Sequence, residues 1–122
     1  MEMRNLALVL LLTAPLVTMA ATPAMVSKGM LTDSNGMTLY TFDKDAAGSG
    51  KSVCNDACAT NWPPLLAKSG ETASGDYTVV TRDDGTMQWA LKGKPLYLWI
   101  KDKSPGDMTG DGVNKVWHVA KP

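Results

Sequence analysis

From Val26 onward, the chain is a series of short apolar and alternating runs separated by turn residues. Alternation of apolar and polar side chains with a period of two is typical of β-strands with one buried face. Asn35-Gly36 and Asp84-Gly85 are strong hairpin signals, because both residue pairs adopt positive φ readily. The pattern therefore predicts a small all-β domain made of hairpins and meanders.

The second hairpin has the clearest strands. Residues 77–81 lead into Asp84-Gly85 and residues 87–91 lead out of it. Met87, Trp89 and Leu91 alternate with less apolar residues, so we expect these three side chains on a buried face and their neighbours on the other face.

Two further strands and one helical segment complete the prediction. Residues 95–100 are apolar on both faces and predict a central strand that begins at a proline, where a missing amide does no harm. Residues 113–120 predict a last strand. Residues 53–61 predict two helical turns near the cysteines, capped by Ser52 or Asn55 and ended by Pro63-Pro64.

An internal repeat is the most informative feature of the sequence. Residues 36–45 and 93–102 share the form G-x-x-L-Y-x-aromatic-x-x-D, and the two tyrosines lie 57 positions apart. Trp62 follows the first copy and Trp117 follows the second at a similar distance. We expect two related β units, spanning about 27–66 and 77–120, that pack together and cover each other's apolar faces.

The residues of the repeated motif allow a structural and a functional interpretation. Its two rings lie two positions apart and therefore share one face of a strand. They form either part of the core, which a domain this small needs, or an exposed platform for a ligand. We expect the aspartates to accept backbone amides in the following turn. The motif residues are Tyr40, Phe42 and Asp45 in the first copy and Tyr97, Trp99 and Asp102 in the second.

The first 20 residues have the three-part pattern of a secretory signal peptide. Arg4 precedes an apolar run over residues 6–12, and Thr18 and Ala20 place small residues three and one before a cleavage position. The run is too short to span a bilayer, which needs about 20 residues. We expect cleavage after Ala20, leaving residues 21–122 as one periplasmic or secreted domain that is not an integral membrane protein.

Charge and composition exclude several classes of function. The chain has 122 residues with 12 basic and 12 acidic side chains, and no basic block. Nucleic acid is therefore not the expected partner, because phosphate backbones are bound by clustered Lys and Arg. Residues 45–52 resemble a phosphate-binding loop, but Asp45 takes the place of its first glycine and no α/β alternation surrounds it. We therefore expect no ATP binding.

Cys54 and Cys58 are the only cysteines, at positions i and i+4. Outside the cytoplasm, a structural disulfide is the default for such a pair. The alternative is a copper-binding or thiol-redox site, in which two soft thiolates bind Cu(I) with His118 or a methionine as a further ligand. The three-residue gap departs from the C-x-x-C spacing of redox motifs.

The doubled motif resembles the exported "secreted repeat of unknown function" family, also called lipoproteins with a Yx(FWY)xxD motif. The resemblance extends to the Cys54…Cys58…Trp62-Pro63-Pro64 segment. It implies an envelope or secreted domain with no established activity. The chain departs from the lipoprotein members because it lacks a cysteine at the cleavage position.

The sequence assigns no catalytic residue and no cofactor. It contains no G-x-S-x-G, and no Ser-His-Asp or Cys-His set can be assembled from it. We therefore expect a non-enzymatic exported domain that binds an unknown small ligand or envelope component, or that acts as a structural module. The copper or thiol-redox protein is the alternative.

Overall fold

A computed structural model describes residues 23–122 of the chain. The predicted signal peptide over residues 1–20, with its cleavage position after Ala20, lies outside the described residues. Among residues 23–122, no helix has the length and apolar character needed to cross a membrane.

The described residues form an all-β fold, as the alternation predicts, with two short helical segments where the sequence predicts one. A five-residue α-helix (α1) and a 3-10 helix over Val113–Lys115 interrupt the strands. The elements are β1 (Met25–Ser27), β2 (Met30–Thr32), β3 (Tyr40–Phe42), α1 (Ala57–Asn61), β4 (Tyr77–Thr81), β5 (Met87–Leu91), β6 (Lys94–Pro95) and β7 (Trp117–Val119).

The strands form three small antiparallel sheets. β1 pairs with β2, β3 pairs with β7, and β4, β5 and β6 form a three-stranded sheet with β5 in the centre. The β3–β7 pair joins the first half of the chain to its end, with Tyr40 opposite Val119 and Phe42 opposite Trp117. The two halves of the chain are therefore connected by backbone pairing as well as by side chains.

Both predicted hairpin turns are present. Asp33 donates its amide to the Met37 carbonyl over 2.9 Å, which closes the turn that contains Gly36. Arg82 donates its amide to the Thr86 carbonyl over 2.8 Å, which closes the turn that contains Gly85. Both glycines have positive φ, as these turns require.

The strand predicted over residues 95–100 is much shorter than expected, because regular pairing ends at Pro95. Beyond it the chain stays extended, and Tyr97 forms isolated bridges to Tyr40 and Pro64. The Leu98 amide donates to the Pro63 carbonyl over 2.7 Å. Pro63 and Pro64 have no amide hydrogen to donate in return, so the ladder on this side cannot be completed.

The strand predicted over residues 113–120 is reduced to Trp117–Val119. The residues before it form the 3-10 helix, which starts after Gly112 at φ 82°. Asn114 and Lys115 also have positive φ, at 52° and 62°. Positive φ is incompatible with a regular strand, so pairing begins only after this turn.

The predicted helix is also shorter than residues 53–61. It begins after Asp56, which makes no side-chain capping hydrogen bond, so the expected caps were wrong. The Ser52 hydroxyl instead lies 2.6 Å from the Tyr97 hydroxyl, and the Asn55 amide donates to Asp83 over 3.0 Å. Tertiary contacts therefore take both polar groups away from the helix end.

The prediction for β5 is confirmed only in part, since Trp89 and Leu91 are buried as expected but residues on the other face are buried too. Gln88 is completely buried and Ala90 is buried beside it, whereas Met87 is 37% exposed. Residues 65–67 pair along β5 through the Trp89 amide to the Leu65 carbonyl, over 2.8 Å. This pairing covers an edge of β5, and side chains on both of its faces are buried, so a polar side chain there needs a hydrogen-bond partner rather than solvent.

The core consists of two clusters. One is aliphatic and contains Ala24, Leu31, Leu39, Leu91, Leu96 and Ala120. The other is aromatic and contains Tyr40, Cys54, Trp62, Tyr97 and Trp117. The second cluster contains the tyrosines of both motif copies and the tryptophan that follows each.

Candidate functional site

The two copies of the motif pair through the backbones of their tyrosines, Tyr40 and Tyr97. The Tyr40 amide donates to the Tyr97 carbonyl over 2.8 Å, and the Tyr97 amide donates to the Tyr40 carbonyl over 2.9 Å. Both tyrosines are completely buried. This exchange of two hydrogen bonds is that of an antiparallel pair, so the two copies run in opposite directions through the interior.

Each tyrosine donates its hydroxyl to the aspartate of the other copy. The Tyr40 hydroxyl lies 2.6 Å from Asp102 Oδ2, and the Tyr97 hydroxyl lies 2.5 Å from Asp45 Oδ2. We call these the reciprocal Tyr–Asp pairs. Both aspartates are 8% exposed, so the bonds lie in the interior.

The other oxygen of each carboxylate accepts a hydrogen bond from a backbone amide. The sequence predicts such a bond within the adjacent turn, but the donor lies seven or eight residues further along the chain. Asp45 Oδ1 accepts from the Val53 amide over 2.8 Å, and Asp102 Oδ1 accepts from the Thr109 amide over 3.0 Å. Each aspartate therefore closes a loop of its own half while it receives the tyrosine of the other half.

Burial sets the protonation of these groups. It raises the pKa of Tyr97, and the hydrogen bond to the Asp45 carboxylate raises that pKa further. Burial and the bond to Asp102 raise the pKa of Tyr40, against a smaller opposite effect of the Gly110 amide. Both phenols therefore stay protonated at neutral pH and act as hydrogen-bond donors. Burial also raises the pKa of Asp45, which the Tyr97 hydroxyl, the Val53 amide and the Arg82 charge oppose.

The second ring of each motif copy, Phe42 or Trp99, forms a continuous aromatic stack with Trp62 and Trp117. Trp62 and Trp117 lie face to face with ring centroids 3.8 Å apart, Phe42 lies 4.1 Å from Trp117, and Trp99 lies 3.9 Å from Trp62. Trp62 and Trp117 are buried, while Phe42 and Trp99 at the two ends are half-buried. In this structure the stack is packed into the core, and only its ends reach the surface.

A buried arginine adjoins the first motif copy and was not expected from the sequence. Arg82 is 4% exposed and donates to Ser52 Oγ over 3.0 Å, to Gln88 Oε1 over 2.7 Å and to the Cys54 carbonyl oxygen. The side-chain amide of Gln88, through Nε2, in turn donates to the Leu96 carbonyl over 2.7 Å. Arg82 thus ties the cysteine segment to β5.

Cys54 and Cys58 form a disulfide with a sulfur–sulfur distance of 2.06 Å. Cys54 is completely buried against the aromatic cluster. Within residues 23–122, no group of three or more His, Cys, Asp or Glu side chains is arranged to hold a metal ion. The structure therefore does not assemble Cys54, Cys58 and His118 into a metal site.

His118 instead pairs with Asp43 across the β3–β7 pair. Its Nε2 atom lies 2.8 Å from Asp43 Oδ2, and both side chains are about half exposed. Asp43 was not among the residues that the sequence pattern predicts for a site. Asp43 lies two residues after Thr41, so the side chains of Thr41 and Asp43 are on the same side of the extended chain. Thr41 lies directly opposite His118, which brings Asp43 within reach of the imidazole.

His118 and Asp43 lie in a cleft of about 380 Å³ between the β3–β7 pair and the β5–β6 hairpin. We call it the basic cleft, because three lysines contribute to its lining. The lining residues are Thr41, Asp43, Leu91, Lys92, Lys94, Leu96, His118, Val119, Ala120 and Lys121. Its volume lies within the range of small-molecule sites, about 300–1,000 Å³.

The fold and the reciprocal Tyr–Asp pairs define a duplicated all-β domain whose two halves share one core. Two stretches of the chain, residues 24–66 and 78–121, match the model of a family described as a secreted repeat of unknown function. The chain belongs to this family, which confirms the predicted resemblance and supports export. No curated protein and no solved structure matches the chain.

Proposed function

We propose that the chain is a non-enzymatic exported domain, periplasmic or secreted, that acts by binding a small ligand or an envelope component. The reciprocal Tyr–Asp pairs are the observation that supports this proposal. The hydroxyls of Tyr40 and Tyr97 and the carboxylates of Asp45 and Asp102 are the motif's polar groups, and all are buried against one another. A catalytic acid or base must instead lie within hydrogen-bond reach of a substrate.

The surface supports a binding role better than a purely structural one. The basic cleft brings apolar and charged side chains together in a concavity of about 380 Å³, which is within the size range of small-molecule sites. The motif then serves as the scaffold that holds the cleft's strands, since β3 carries both Tyr40 at the centre of the fold and Thr41 at the cleft.

A turnover panel tests the non-enzymatic part. The purified protein is incubated with chromogenic carboxylic esters, phosphate esters, glycosides and peptides, and we expect no turnover above the buffer blank. Turnover that is lost in Asp45→Asn, Asp102→Asn or His118→Ala, with the circular dichroism spectrum of each variant retained, would overturn the proposal.

Titration with soluble peptidoglycan fragments tests one envelope component, with amide chemical shifts of ¹⁵N-labelled protein as the readout. Saturable shifts would support binding to the envelope. Their absence, combined with no shift for the small-molecule probes described below, would leave the structural module as the better proposal.

The thiol-redox and copper alternative depends on the state of the cysteines. Cys58 is half-buried, so one sulfur of the disulfide lies nearer the surface than the other. Alkylation followed by intact mass measurement should find no free thiol in the purified protein. Two labelled cysteines, with one-to-one copper uptake that disappears in the Cys54→Ser, Cys58→Ser variant, would favour the alternative.

A further inference from the structure

We infer that the basic cleft binds a small organic anion, a phosphate or carboxylate group on a short apolar body. This inference rests on the proposed binding function and adds a site and a class of ligand to it. Three properties of the cleft support it: its floor, its local charge and the contrast with another cleft of the molecule.

The floor of the cleft is apolar. Val119 is half-buried and lines the cleft, and Leu91 and Ala120, which are 8% and 3% exposed, also contribute to the lining. An inorganic ion would gain nothing from these side chains, whereas a short hydrocarbon group would bury apolar surface against them. The floor therefore favours an organic ligand over a bare ion.

The charged lining favours an anion. Three lysines, Lys92, Lys94 and Lys121, line the cleft, against one acidic residue, Asp43, which pairs with His118. The whole chain has 12 basic and 12 acidic side chains, so this is a local excess on a neutral protein. Clefts lined by one sign of charge concentrate the opposite charge, and lysine ammonium groups are common ligands of phosphate.

Another cleft of similar size shows the opposite charge. It is lined by Asp56, Asp83 and Asp84, together with Arg82, and it would repel an anion. The two clefts therefore predict where an anionic ligand does and does not bind.

Two lysines occupy equivalent turns and provide a matched pair of variants. Lys92 and Lys28 each hold the first position of a two-residue hairpin turn, with φ of 51° and 53°, and each is followed by a glycine. Lys92 lines the basic cleft and also a neighbouring cleft that contains Tyr77, whereas Lys28 lines neither of these. Alanine at either position changes the charge and leaves the same turn, so only the location differs.

The experiment is a titration of ¹⁵N-labelled protein with hexyl phosphate, inorganic phosphate and hexanol. We expect hexyl phosphate to shift the amides of residues 41–43, 91–94 and 118–121 and to bind more tightly than either other probe. Raising the ionic strength to about 0.15 M, where the Debye length is about 8 Å, should weaken the binding. Lys92→Ala combined with Lys94→Ala should weaken it about tenfold, and Lys92→Ala alone should weaken it more than Lys28→Ala.

Four results would overturn the inference. One is equal affinity in the Lys92→Ala and Lys28→Ala variants. Another is a set of hexyl phosphate shifts confined to residues outside the cleft, which would leave the proposed binding function standing. The third is the absence of any shift with hexyl phosphate. The fourth is sedimentation with phosphatidylglycerol vesicles but no binding of hexyl phosphate, which would assign the lysines to a membrane surface.

Conversion of hexyl phosphate to hexanol would contradict the non-enzymatic proposal and leave the cleft as the binding site.

Discussion

The Tyr97 hydroxyl shows how much of this fold depends on single polar groups. It donates to Asp45 and lies 2.6 Å from the Ser52 hydroxyl, in a place that solvent does not reach. A buried carboxylate that loses its donor is left with the full cost of its desolvation. Removing this hydrogen bond therefore lowers the free energy of unfolding by more than the net amount that its formation adds.

Replacing Tyr97 by phenylalanine removes that donor and keeps the ring. We expect Tyr97→Phe to lower the free energy of unfolding by about 2 kcal/mol, measured by urea denaturation. Tyr77→Phe is the control, because burial and not a hydrogen bond raises the pKa of the Tyr77 hydroxyl, and it should cost well under half as much. Equal losses in the two variants would show that the reciprocal bond is not what stabilises the fold.

The pKa of Asp45 predicts a pH dependence with a definite sign. Burial raises it above the ordinary value of 3.8, so the folded state binds the proton more tightly than the unfolded state. The contribution of Asp45 to the free energy of unfolding is fully present below pH 3.8, and it is lost as the pH rises through the pKa of Asp45 in the folded state. The difference in unfolding free energy between the wild type and Asp45→Asn should therefore fall as the pH rises from 3.8.

Asp84→Asn is the matched comparison with the opposite sign. Hydrogen bonds from Thr86 lower the pKa of Asp84, so its contribution to stability is present above pH 3.8 and is lost at lower pH. Urea denaturation over a series of pH values measures both variants against the wild type. Two differences that change in the same direction with pH would contradict the assignment.

At the scale of elements, the two-residue turns differ in what they pack against. Ser27 pairs with Met30 around Gly29, and Leu91 pairs with Lys94 around Gly93. Both glycines have positive φ, at 78° and 82°. A Cβ at Gly93 would lie 2.5 Å from the Gly48 nitrogen, whereas a Cβ at Gly29 would meet nothing within 4 Å. Gly93 is therefore a packing position as well as a turn position.

Alanine at each glycine separates the two effects. We expect Gly29→Ala to cost about 1 kcal/mol through its φ alone. Gly93→Ala should cost about 3 kcal/mol, because the backbone at Gly48 must also move away. Urea denaturation provides the comparison, and a Gly93→Ala loss no larger than that of Gly29→Ala would show that the 46–50 loop does not press on this turn.

The sequence predicts those elements whose signals are local. Asn35-Gly36 and Asp84-Gly85 predict two hairpins because positive φ is a property of the turn residues themselves. The burial of Gln88 could not be predicted, because it depends on the 65–67 segment and on Arg82, which come from elsewhere in the chain. The length of the strand predicted over residues 95–100 was wrong for a related reason, since Pro63 and Pro64, more than thirty residues away in the chain, limit the pairing of that segment.

The same distinction applies to the candidate site. The doubled motif identifies which tyrosines and aspartates matter, but a repeat does not say that each tyrosine bonds to the aspartate of the other copy. The basic cleft had no contiguous signal at all. Asp43 and His118 lie 75 positions apart and meet only because β3 pairs with β7.

At the scale of the whole molecule, the contacts of the two halves correspond. The Leu65 amide donates to the Leu96 carbonyl over 2.9 Å, and the Ala120 amide donates to the Leu39 carbonyl over 2.8 Å. The edge-on contacts of Tyr40 with Trp62 and of Tyr97 with Trp117 correspond in the same way. Because each half also supplies the tyrosine that the other half's aspartate receives, neither half has a complete interior by itself.

This mutual dependence predicts the behaviour of a nicked chain. The segment between the halves is mostly exposed, and Gly70 lies in open space, so a protease recognition site inserted there should be tolerated. After cleavage, we expect the two fragments to remain associated, because the aromatic stack and the reciprocal Tyr–Asp pairs cross between them. Native mass spectrometry should detect the complex, with the near-ultraviolet circular dichroism of the uncut insertion protein as the control.

Separation of the nicked fragments in denaturant, followed by dilution, tests whether either half folds alone. Each isolated fragment should lose most of its near-ultraviolet circular dichroism, since Trp62 in one fragment and Trp99 and Trp117 in the other lose the rings on which they stack. Mixing should restore the signal, and Tyr97→Phe should weaken the reassociation because it removes one crossing bond. Fragments that keep their signal when separate would mean that each repeat has its own sufficient core, and the shared interior would then not be what holds this domain together.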